Sequence, residues 1–117
     1  MKTYLCITLL LLLIPIKVFA LGAIAVAENT GKGQSVYVIV SGYTTGAEAI
    51  QQALNKCKDR GGIACKIVLE FERCGSIATS AKSFGVGSGV TGKIARNMSL
   101  RSCGDDCRVF ANECEDY

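Results

Sequence analysis

The chain has 117 residues, a formal charge of +3, seven cysteines and no histidine. That length suits one domain with one modest core. The missing histidine excludes Ser-His, Cys-His and histidine-ligated metal chemistry.

Lys2 opens a short positive region, Leu5 to Ile16 is apolar, and Val18-Phe19-Ala20 supplies the small residues of a cleavage site. Residues 1–20 therefore read as a secretory signal peptide. The apolar run is shorter than the ~20 residues a membrane span needs, and it meets Pro15 and Lys17 before its end. Cleavage removes Cys6. It also removes Lys2 and Lys17, which takes thirteen basic residues to eleven against ten acidic ones, a net charge of +1. A near-neutral chain of interleaved signs lacks the basic face that nucleic acid requires. The expectation is one secreted or periplasmic domain over 21–117, bound neither to nucleic acid nor, after cleavage, to the membrane.

Gly22 to Ala27 is small and apolar, 29–33 is a turn by composition, and Ser35 to Ser41 is strongly β-prone. This is a hairpin, and the unbroken Val-Tyr-Val-Ile-Val run predicts a central strand covered on both faces. Thr44 or Thr45 can cap the next helix, with Glu48 as capping-box partner. Ala47, Ile50, Ala53, Leu54 and Cys57 form its apolar face, and Gly61-Gly62 stops it. The following strand alternates. Cys65, Ile67, Leu69 and Phe71 are expected against the helix, with Lys66, Val68, Glu70 and Glu72 opposite. Glu70 and Glu72 share that face, so a paired-carboxylate hydrolase must be weighed against a solvated strand face.

A shorter copy follows. Gly22-Ala23-Ile24-Ala25 is echoed by Gly75-Ser76-Ile77-Ala78. Thr45-Gly46 and Thr91-Gly92 stand equally far before a cysteine. The duplication divides the domain at about 22–74 and 75–114. A glycine-rich strand, Phe84 to Gly89, replaces the valine-rich one of the first copy. Gly87, Gly89 and Gly92 satisfy G-x-G-x-x-G, the pattern of a phosphate cradle. Its partner copy has no such pattern and no long parallel sheet fits, so a bulged or tightly packed strand is expected instead. Ile94, Ala95 and Met98 give the second helix a short apolar face. Asn97-Met98-Ser99 is a glycosylation sequon in form, set inside that helix, and Glu113, Glu115 and Asp116 make an acidic end.

Six cysteines remain after cleavage, an even number that marks a disulfide framework in an exported chain. Repeat symmetry favours Cys57–Cys65 and Cys103–Cys107 across the two helix-to-strand turns. Cys74–Cys114 is left over and is expected to tie the halves together. The C-x7-C and C-x3-C spacings are not zinc knuckles, and no C-x-x-C redox pair is present. No catalytic residue, metal ligand or cofactor site is assigned.

The Gly-Ala-Ile-Ala strand, the Thr-Gly-Ala-Glu-Ala helix start, the helix reaching Cys57, the Cys-Lys-Ile-Val-Leu strand and Cys74-Gly75-Ser76-Ile77-Ala78 together resemble the bacterial secreted "domain of unknown function 4189" family. The second half departs from it, with Phe84 and Val86 in place of larger aromatics and only Ala95 in its helix. The resemblance implies a small exported α+β domain and no assigned activity.

The architecture expected is α+β: two ββαβ pseudo-repeats forming a mostly antiparallel sheet with two helices, stapled by disulfides. The function expected is a protein-binding module of effector, inhibitor or immunity type, with a protein partner in the envelope or outside the cell. Its expected surface is Tyr43, Lys82 and Phe84. The alternatives are a hydrolase of envelope polymer using Glu70 and Glu72, and a structural envelope component.

Overall fold

Each Thr-Gly pair starts a helix. In a computed structural model of the protein, which describes residues 21–28 and 33–114, Thr45 and Thr91 sit in extended backbone as N-caps. Their hydroxyls accept from the Glu48 and Ile94 amides at 3.2 Å. A capped start leaves fewer orphan donors in the first turn. The elements are β1 (Leu21–Ala27), β2 (Val36–Tyr43), α1 (Gly46–Asp59), β3 (Lys66–Phe71), β4 (Cys74–Thr79), β5 (Phe84–Gly89), α2 (Gly92–Cys103) and β6 (Arg108–Cys114). The signal segment, most of the 29–33 turn and the acidic residues Glu115 and Asp116 lie outside the described residues.

The two ββαβ units divide their strands between two antiparallel three-stranded sheets, ordered β2-β1-β3 and β5-β4-β6. Helix α1 covers the outer face of the first sheet, where Ala23, Ala25 and Ala27 meet Ala49, Ala53 and Cys57. Helix α2 covers the outer face of the second. The inner faces pack on each other through Ile24, Val26, Phe71 and Ile77, with Tyr37, Ile39, Leu69, Phe84 and Val86 around them. The layers run helix, sheet, sheet, helix. Strand β2 lies over β6, β1 over β4 and β3 over β5, which is a pseudo-two-fold arrangement of the copies.

Several expectations change. The central strand of the first sheet is β1, and the Val-Tyr-Val-Ile-Val strand β2 is an edge. Small side chains decide this: Ala23 and Ala25 are fully buried under the helix and Ile24 and Val26 under the other sheet. The clean alternation of β3 is broken by a bulge, since Ile24 pairs with Leu69 but Ala25 with Ile67. The extra residue Val68 puts Ile67 toward α1 and Leu69 and Phe71 into the inter-sheet core. The matching bulge in β6 falls at Phe110, between Ala111 and Val109. On α1, Ala49 rather than Ala47 is buried.

The three disulfides join Cys57 to Cys65, Cys74 to Cys114 and Cys103 to Cys107. The pairing follows the repeat, but the third bridge does not tie the copies. Cys74 and Cys114 are directly opposed partners in β4 and β6, so the bridge staples the second sheet to itself. The copies are held by the inter-sheet core instead. Phe71 of the first copy lies between Gly22 and Gly75, the matched glycines of the two central strands, where either Cβ would strike its ring. Ser41 donates to Glu113 Oε2 at 2.7 Å across the same interface.

The bridges span 40 residues for Cys74–Cys114 and 4 for Cys103–Cys107. By loop entropy, replacing the first pair with alanine should cost about 4 kcal/mol and the second about 2 kcal/mol. Thermal denaturation of the two double variants checks that order.

Candidate binding site

The sheet registers set the two copies in correspondence. Val38 and Val40 stand opposite Ala25 and Ala23, and Gly85 and Gly87 stand opposite Ala78 and Ser76. Where the first copy has two valines beneath its helix, the second has none. Helix α2 therefore sinks onto bare backbone. A Cβ on Gly87 would lie 2.6 Å from the Ala95 carbonyl oxygen and the Met98 Cβ, and one on Gly85 would strike the backbone of Ser99 to Cys103. Only small residues fit the underside of α2, and Ala95, Ser99 and Cys103 occupy it. The buried Ser99 hydroxyl lies 3.0 Å from that of Ser76 and 2.8 Å from the Arg96 carbonyl, so this polar pair is satisfied.

Of the short apolar face expected on α2, Ala95 is buried and Ile94 and Met98 are not. Ile94 and Met98 are 43% and 47% exposed, and Val90, one turn before, is 66% exposed. Ile94 and Met98, spaced by four on α2, lie over Gly89 and Gly87 of β5, and Val90 continues this apolar stripe just before the cap. Counting from the capping threonines, the matching residues of the first copy are Thr44, Glu48 and Gln52. The stripe is polar in one copy and apolar in the other.

Charge differs in the same sense. Between Gly46 and Asp59, α1 carries Glu48 and Asp59 against Lys56 and Lys58. Helix α2 carries Lys93, Arg96 and Arg101 and no acid. Arg96 leans on β6: with the Asn112 amide oriented to satisfy its neighbours, the Asn112 oxygen accepts from Arg96 Nη1 at 3.0 Å and its nitrogen donates to the Gly75 carbonyl.

Gly87 and Gly89 of the G-x-G-x-x-G string face α2, and Gly92, the first residue of α2, faces Asn112 and Cys114 of β6, so protein atoms fill the space a cradled phosphate would need. The glycine strand is thus covered on its outer face by α2, while Phe84 and Val86 on its inner face join the inter-sheet core. What remains open is its edge, since β5 ends its sheet and pairs with β4 alone. At the Gly89 end, a shallow groove of about 400 Å³ is lined by Glu70, Phe71, Glu72, Arg73, Ser88 and Val90.

The three expected surface residues fall in different layers. Tyr43 pairs with Leu21 at the end of β2 and packs on the α1 cluster. Lys82 is exposed in the Ser80–Ser83 turn and shares a cavity with Asp105 and Asp106. Phe84 is half-buried against Tyr37, ring centroids 5.9 Å apart, and Tyr37 also meets Phe110 at 5.7 Å. Glu70 and Glu72 line the groove and are exposed. A Cβ on Gly46 would lie 3.2 Å from Glu70 Oε1, so this carboxylate stands at the N-terminus of α1, where an anion is favourable. Among the described residues no three His, Cys, Asp or Glu side chains converge as a metal site. The signal that sequence reading missed is the apolar-for-polar exchange at positions 90, 94 and 98, visible once the copies are aligned on their caps.

Because Phe84 sits in the inter-sheet core, Phe84→Ala should lower stability by about 2 kcal/mol, below the 3–5 kcal/mol of a fully buried ring. Chemical denaturation of the variant measures it.

Residues 21–114 match the family described as Domain of unknown function (DUF4189). "Uncharacterized protein Rv1813c" of Mycobacterium tuberculosis and "Uncharacterized protein Mb1843c" of Mycobacterium bovis are each 36% identical to this chain over 79 residues, which is 68% of this chain and 50% of theirs. The chain spans about half the length of the curated relatives it matches. The NMR structure of Rv1813c from Mycobacterium tuberculosis is similar in fold, with a TM-score of 0.62 and 27% identity over 88% of this chain and 81% of that one. With its two ββαβ units and a match across all six strands and both helices, this chain belongs to the DUF4189 family.

Proposed function

We propose that the protein is an exported protein-binding module that meets a protein partner through the β5–α2 face. The observation that carries this reading is the apolar stripe Val90, Ile94 and Met98, held at 43–66% exposure where the first copy presents Thr44, Glu48 and Gln52. Exposed apolar side chains in a row cost solubility unless something covers them. Both helices need the same N-cap and the same small inward face, and both have them, so packing does not call for the exchange.

The frame supports a binding role. Three disulfides in a chain this small hold its surface rigid, which lowers the ordering cost of association. They also fit an oxidising compartment outside the cytoplasm. Among the described residues no helix is long and apolar enough to cross a membrane. Export of the chain and recognition of an effector target, an enzyme or a toxin are parts of this proposal.

The test replaces the stripe by its own counterpart: Val90→Thr, Ile94→Glu and Met98→Gln in one tagged variant of residues 21–117. Wild type should retain a stoichiometric protein from envelope extract or culture medium. The triple variant should lose it while melting within a few degrees of wild type. Equal capture by both proteins would remove the β5–α2 face from the proposal.

A further inference from the structure

We infer that the partner completes the second sheet: an extended, acid-bearing segment pairs backbone to backbone with the free edge of β5 and lays its side chains against Ile94 and Met98. This rests on the binding-module reading and names the occupant of the same face.

The four sheet edges are the argument. An unpaired edge invites another strand, and folded proteins blunt it with charge, proline or a bulge. Strand β2 has an irregularity between its Val40 and Tyr43 pairings, and Arg60 Nη1 donates to its Tyr37 carbonyl at 3.4 Å. Strand β3 has its bulge at Val68, with Lys66 and Glu70 along it. Strand β6 has the bulge at Phe110, with Arg108 and Glu113. Strand β5 has none of these. Its six residues, Phe-Gly-Val-Gly-Ser-Gly, pair with β4 in unbroken register and include no charge and no proline. Edge pairing supplies main-chain hydrogen bonds, and flanking pockets for alternate side chains supply selectivity.

Helix α2 provides the flank. Ile94 Cγ2 and Met98 Cβ stand over Gly89 and Gly87, so they border the position of an added strand. The residues of that strand facing α2 would cover the exposed parts of both. The charge of the flank selects the occupant. On α2, Arg101 stands seven residues after Ile94 and shares the face of Ile94 and Met98, while Arg96 is turned to Asn112 of β6, so Arg101 favours a carboxylate and disfavours a lysine on the incoming segment. Glu70 and Glu72 line the groove at the Gly89 end, and Asp105 and Asp106 line the cavity with Lys82 beyond the Phe84 end, so the carboxylate belongs beside Arg101, between the two acidic ends. A second copy pairing β5 to β5 would set two cationic helices side by side, which argues against self-association.

The experiment selects a phage-displayed library of random dodecapeptides on the folded chain, residues 21–117, at low salt. Selected peptides should alternate apolar residues and carry Asp or Glu. Synthetic versions should lose at least tenfold in affinity when alternate backbone nitrogens are methylated, because N-methylation removes the donors that a strand pair needs. Arg101→Glu should weaken them by about tenfold, and amide shifts should centre on 84–89 with Ile94 and Met98. Peptides indifferent to N-methylation, peptides rich in lysine, or no selected peptide at all would each overturn strand addition. So would a concentration-dependent dimer in sedimentation that Ser88→Lys dissociates. In all these cases, loss of partner capture by the stripe variant would still uphold the broader reading, and the two failures stay distinct.

Discussion

A helix laid on a strand of very small residues is the contact on which the rest of this fold depends, and it is made twice. In the first copy Ala23 and Ala25 receive Ala49, Ala53 and Cys57. In the second, Ser76 and Ala78 with Gly85 and Gly87 receive Ala95, Ser99 and Cys103. Small side chains bring backbone close to backbone, and the close approach leaves no water to satisfy a polar group. The one polar pair in these contacts, Ser76 with Ser99, is hydrogen-bonded. Because each helix covers the outer face of its sheet, the inner faces are free to meet, and the larger residues Ile24, Ile77, Phe71 and Phe84 collect between them.

The duplication makes the functional asymmetry readable. Two copies of one unit share caps, small inward faces, helix-to-strand disulfides and even a bulge at the same place in the last strand. Against that common plan the differences stand out: valine to glycine under the helix, and polar to apolar along its flank. The first difference has a packing consequence, since it lowers α2 onto β5. The second sets Ile94 and Met98 over Gly89 and Gly87 and still leaves them 43% and 47% exposed. A feature that packing does not require, and that carries a solubility cost, is where a binding role has its physical basis.

The disulfides and the inter-sheet core divide the labour of holding the molecule together. Two bridges close helix-to-strand turns and one closes the second sheet, so all three act within a copy. The joint between copies rests on Phe71 seated between Gly22 and Gly75 and on the Ser41–Glu113 hydrogen bond. None of the three disulfides crosses the joint, yet it buries Ile24, Val26 and Ile77 completely, and apolar area of that kind contributes about 25 cal/mol per Å².

Much of this was legible in the order of residues. The duplication, the ββαβ units, the threonine caps, the glycine stop after α1 and the disulfide partners all follow from local chemistry or from comparing one half with the other. Those properties depend on neighbours a few residues apart, or on symmetry. What the tertiary structure alone decided depends on contacts between distant segments. Strand order could not be read because β1 and β2 are both apolar, and only the helix overhead selects the alanine strand as central. The face of β3 was misread because one bulged residue, Val68, reverses the alternation after it. An apolar residue on a helix ordinarily faces the core, yet Ile94 and Met98 do not. Here the glycines of β5 draw the helix so close that no large side chain fits beneath it, and both are left beside an open strand edge.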